Sequence, residues 1–102
     1  LIAIKRVCGE HAKKRKVNAP KSMLGHTCGS APAVEAVAAM LQMQGKKLHP
    51  SINIEEKDPE VDLEVCANVP VDHEIQLMVK NSFGFGGLNC CSLYRRFDPS
   101  TL

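Results

Sequence analysis

The run from Ser30 to Gly45, SAPAVEAVAAMLQMQG, constrains the fold more than any other stretch. Ser30 stands where a helix N-cap belongs, and Pro32 suits the first turn. Gly45, followed by Lys46 and Lys47, suits the C-terminal stop. Between Ala31 and Met43 the only charged residue is Glu35 and the only other polar one is Gln42. A helix that is apolar nearly all round is a buried helix. It needs neighbours on every side, and a chain of 102 residues has little material with which to surround it. Covering structure beyond these residues is therefore expected.

The flanking elements are shorter. LIAIKRVC places Leu1, Ile4, Val7 and Cys8 on one helical face, and Gly9 marks its end. KVNAP is a short strand closed by Pro20, and a loop holding KSMLGH follows. SINIEE and VDLEVCA are candidate short strands in a proline-punctuated stretch. EIQLMVK alternates, with Ile75, Leu77 and Val79 on one face and Gln76, Met78 and Lys80 on the other. It runs through Asn81-Ser82-Phe83-Gly84-Phe85-Gly86-Gly87 into a second strand, LNCCSLYRRF. The glycines permit positive φ and close backbone approach at this hairpin turn. A phosphate cradle is excluded, because that motif needs a helix after the glycines and a strand follows here.

Several function classes drop out on composition. A net charge of +2 is too small to argue for nucleic acid, and Lys13-Lys14-Arg15-Lys16 reads as a solvated turn. Three Phe, one Tyr and no Trp leave no base-stacking platform. Five cysteines, an odd number without regular spacing, are neither a disulfide framework nor a zinc site. They read as reduced thiols, which points to the cytoplasm, or to an organelle matrix or stroma. No segment approaches the ~18 apolar residues of a membrane span. The opening LIAIKRV reads as the middle of a longer chain.

KSMLGH, the alanine-rich helix with VEAV, LHPSIN and NSFGFGGLN occur in that order. Together they resemble the C-terminal part of a β-ketoacyl-[acyl carrier protein] synthase, over about Ile4 to Phe97. The fatty-acid type is the better match, since modular polyketide relatives read differently at the lysine–histidine motif and at the last strand. The resemblance implies an α/β fold, the C-terminal part of a thiolase-like domain, with a buried helix packed on a mixed β-sheet. It implies decarboxylative Claisen condensation of an acyl thioester with malonyl-carrier protein. Residues 1–102 would then be the C-terminal portion, with the nucleophilic cysteine and the first histidine in an earlier portion.

By the same resemblance, His26 matches the second catalytic histidine. A neutral imidazole there can donate one N–H to the thioester oxygen while a backbone group holds its other nitrogen. Lys21 matches the active-site lysine, with an electrostatic and hydrogen-bonding role. Phe85 matches the gating phenylalanine, with Phe83, Gly84, Gly86 and Gly87 forming its hinge; without the resemblance, both phenylalanines read as core. A carboxylate on an apolar helix must be paired or must face a cation. The resemblance implies that Glu35 joins the lysine's network or contacts a structural monovalent cation, with the backbone around Lys80 and Asn81 facing the same spot; no metal or other cofactor is required. The implied partners are an acyl carrier protein bearing an acyl or malonyl thioester, the remainder of the synthase, and a second copy in a homodimer; no nucleic acid or membrane is among them. Departures from the family pattern fall at Gly29-Ser30-Ala31-Pro32, Leu88 and Cys90. The competing reading is a non-catalytic, chain-length-factor-like subunit of a heterodimer; retention of Lys21 and His26 favours catalysis.

Overall fold

A computed structural model describes residues 1–101. In chain order its helices and strands are α1 (Ile2–Cys8), β1 (Lys16–Val17), α2 (Lys21–Leu24), α3 (Ala31–Gly45), β2 (Lys47–Leu48), β3 (Glu64–Val65), β4 (Val71–Asp72), β5 (Leu77–Gly84) and β6 (Leu88–Arg95). They divide into two compact units. One comprises Leu1–Gly25 and Leu48–Val71; the other comprises His26–Lys47 and the chain from Asp72 onward.

In the first unit α1 ends at Gly9, whose φ of 54° is cheap only for glycine. The expected apolar face of α1 is only partly covered: Ile4 and Cys8 are half-buried, while Leu1 and Val7 are exposed. A 3-10 turn over Gly9–Lys14 buries Ala12 and leads into β1. The parallel pair β1–β3 aligns Lys16 with Glu64 and Val17 with Val65. An ion pair between the Lys16 and Glu64 side chains crosses that register. VDLEVCA thus supplies a strand as expected. SINIEE contributes only a single parallel bridge, Ser51 to Ala67. Leu48, Ser51, Leu63 and Cys66 are also buried in this unit. KSMLGH begins not as a loop but as a single helical turn, α2, ending at Gly25.

In the second unit α3 occupies the predicted range, with Pro32 in its first turn. Two details differ. Ser30 makes no side-chain cap; its hydroxyl donates to the Thr27 carbonyl at 3.0 Å, inside the 3-10 turn Cys28–Ser30. The stop is made by Lys46, in the left-handed conformation (φ 52°), whose N–H donates to the Gln42 carbonyl. Ala31, Glu35, Ala39, Gln42 and Met43 are buried, a helical stripe at the spacing of one face. Val34, Val37, Met40 and Leu41, on the other side, are exposed. The helix is therefore not enclosed among the described residues.

β5 and β6 form an antiparallel hairpin in register from Leu77↔Arg95 to Gly84↔Leu88. Phe85, Gly86 and Gly87 close it, and the two glycines take φ of 84° and 82°, a conformation that makes this turn glycine-dependent. β5 packs on α3. The half-buried residues of β5 are Met78, Lys80 and Ser82, whereas Leu77, Val79 and Phe83 are exposed. The more apolar face of the strand is thus the open one.

Candidate functional site

Gly25 ends α2 with φ 74° and ψ 178°, and its N–H donates to the Lys21 carbonyl at 2.9 Å. A side chain at this φ would be strained, so glycine is what allows the chain to leave α2 and deliver the next residue, His26, so abruptly. His26 is exposed. The backbone N–H of Cys28 donates to its Nδ1 at 3.0 Å. Nδ1 is thereby an acceptor, so the neutral ring carries its hydrogen on Nε2. Cys28 takes φ 51°, an unusual value for a residue with a side chain. The backbone grip on the ring anticipated for His26 is therefore present, and its donor is Cys28.

Lys21 is the first residue of α2 and is exposed. Its turn is tied to residues 49–52 of the same unit. Asn18 Nδ2 donates to the His49 carbonyl at 2.9 Å, and the Ala19 N–H donates to Ser51 Oγ at 2.8 Å. Ser22 Oγ donates to the Ala19 carbonyl at 3.1 Å and accepts the Ile52 N–H at 2.9 Å.

Glu35 is buried on α3, and Lys80 Nζ stands 3.5 Å from its Oε2, with the two side chains only 8% and 10% exposed. Lys80 Nζ also donates to Ser82 Oγ at 2.6 Å. Asn81 is exposed on the other face of β5, opposite Cys91. A protein ammonium thus meets the Glu35 carboxylate. Phe83 and Phe85 are not core: they are 77% and 105% exposed, at and beside the tip of the hairpin. Two surface hollows, of about 260 Å³ beside Val61 and Val65 and about 630 Å³ beside Met43 and Leu93, are lined by none of these residues.

Sequence reasoning singled out neither the side chain of Lys80 nor Ser22, Ser51 and Cys28 as site elements. A signal for Lys80 existed, because a buried carboxylate requires a cation and Lys80 alternates onto the same strand face as Met78. No pattern marks the serines, whose partners lie some thirty residues away in the chain.

The profile "Beta-ketoacyl synthase, C-terminal domain" matches residues 1–55. The 3-oxoacyl-[acyl-carrier-protein] synthase 2 of Staphylococcus aureus is 38% identical over 96 residues, 94% of this chain and 23% of that protein. The chloroplastic 3-oxoacyl-[acyl-carrier-protein] synthase I of Hordeum vulgare is 39% identical over 97 residues, 95% of this chain and 21% of that one. Among solved structures, AntDE:AntF, a type II PKS acyl-carrier protein in complex with its ketosynthase bound to the hexaketide, superposes with a TM-score of 0.91 at 38% identity. That match covers 94% of this chain and 24% of the matched one. The chain thus spans about a quarter of the length of the relatives it matches.

Proposed function

Since this chain belongs to the β-ketoacyl synthase family, with the fold of the C-terminal part of its thiolase-like domain, we propose that it supplies the enolate-stabilising half of a fatty-acyl condensing site. The observation that carries this reading is the hydrogen bond from the Cys28 N–H to His26 Nδ1. It leaves Nε2–H as the outward donor. A thioester oxygen that gains negative charge is stabilised by a donor already aimed at it, in a site that needs no reorganisation.

The reaction balances as follows. A cysteine thiolate outside this chain holds the acyl group as a thioester. The malonyl thioester on the carrier protein loses carbon dioxide, and the electron pair of the broken C–C bond becomes an enolate. His26 Nε2–H hydrogen-bonds the enolate oxygen as its charge grows. The enolate carbon then attacks the acyl carbonyl, forming the new C–C bond and expelling the thiolate. Lys21 acts through its positive charge and hydrogen bonding, not as a nucleophile. Phe85 gates acyl entry from the hairpin tip, where Gly86 and Gly87 give it a hinge. The partner is an acyl carrier protein, and a homodimer is the proposed assembly. Fatty-acyl substrates are supported by the two 3-oxoacyl-carrier-protein synthases among the relatives.

The test separates decarboxylation from condensation in a full-length chain that carries this segment. His26→Ala lowers carbon dioxide release from malonyl-carrier protein by about 10²–10³-fold, the usual cost of an oxyanion donor. Acylation of the nucleophile proceeds in that variant. Unchanged release would overturn the role of His26.

A further inference from the structure

α2 is a helix of four residues, too short to hold itself, since helix nucleation costs more than one or two backbone bonds return. The direction in which Lys21 leaves the chain is therefore decided by what ties the turn down. Pro20, just before it, has no N–H to give. The last amide before the turn is that of Ala19, which goes to the hydroxyl of Ser51 at 2.8 Å. One residue beyond the lysine, the Ser22 hydroxyl links the Ala19 carbonyl to the Ile52 N–H. Lys21 thus stands between two hydroxyl ties, both ending on residues 51–52. That anchor is itself firm. Ser51 is 6% exposed, its N–H donates to the Cys66 carbonyl at 2.7 Å, and its carbonyl accepts the Asn68 N–H at 2.8 Å.

We infer that Ser51, with Ser22 as the second tie, is a positioning residue for Lys21. The inference rests on the proposed function through the role given there to Lys21. A hydroxyl at position 51 is the chemical requirement. Removing it leaves the Ala19 N–H without its acceptor in a part-buried place and frees the N-terminal side of the lysine turn.

The experiment is a double-mutant cycle in the full-length chain, reading kcat and KM for condensation with malonyl-carrier protein. Ser51→Ala lowers kcat about tenfold, the usual worth of one hydrogen bond, and leaves KM unchanged. Ser51→Thr, which keeps the hydroxyl, restores most of the rate. In a Lys21→Ala background, the further change Ser51→Ala costs nothing, because the residue it positions is gone. An equal loss in both backgrounds, or no loss with lysine present, overturns the inference while the proposed function stands. A Lys21→Ala variant with unchanged kcat overturns the role of Lys21, and this inference with it. If Ser51→Ala does not fold, the same cycle is run with Ser22→Ala, with the same outcomes.

Discussion

Cys28 holds the ring of His26 with its backbone, not its thiol, and does so from the left-handed region, at φ 51°. That conformation costs a residue with a Cβ about 1 kcal/mol, and glycine escapes the cost. Cys28→Gly keeps the N–H and is expected to raise the unfolding free energy of the full-length chain by about 1 kcal/mol, read from its denaturant midpoint. Cys66 behaves differently. Burial pushes its thiol above the ordinary 9.0. The folded state therefore holds that proton more tightly than the unfolded one. The stability linked to it is fully present below pH 9.0 and is lost as the pH rises from there through the folded-state value. Cys66 is expected to be alkylated last, after the exposed Cys28, Cys90 and Cys91, as read by mass spectrometry of partly labelled protein. At this scale the order Lys21, Gly25, His26 was legible as a motif, because a motif names residue types in order. The amide that holds His26 was not, because it depends on a φ that cysteine ordinarily avoids.

The seam between α3 and the β5–β6 hairpin contains a buried charge pair, Glu35 with Lys80. Lys80→Met alone is expected to cost about 1–3 kcal/mol, since it removes an ammonium from beside the buried Glu35 carboxylate. Adding Glu35→Gln is expected to recover most of that loss, as read by thermal unfolding of the single and double variants. A single variant as stable as the parent would show that the pair contributes nothing. Both elements were legible from periodicity: the range of α3, the alternation of β5 and the glycine turn all appear in the structure. Which face of β5 meets α3 was not. Alternation divides a strand into two faces without saying which is covered, and here Met78, Lys80 and Ser82 are the half-buried set, with Lys80 beside Glu35.

At the scale of the whole molecule, two apolar faces lie open. One is the Val34, Val37, Met40 and Leu41 side of α3; the other is the Leu77, Val79, Phe83 and Leu93 side of the hairpin. Soluble monomers rarely expose contiguous apolar surface on this scale. The all-round apolar helix pointed to missing cover, and the relatives are about four times the length of this chain. What supplies the cover is not written in these residues, since a buried face carries no mark of its partner beyond being apolar. The 102-residue chain by itself is expected to self-associate, as read by sedimentation. The most direct test compares condensation of acyl- and malonyl-carrier protein by this chain alone and by a full-length synthase that carries it. The account predicts no turnover and poor amide protection for the isolated chain, and turnover that depends on His26 for the full-length one. A well-protected 102-residue monomer that condenses these substrates, or a full-length enzyme indifferent to His26→Ala, would contradict it.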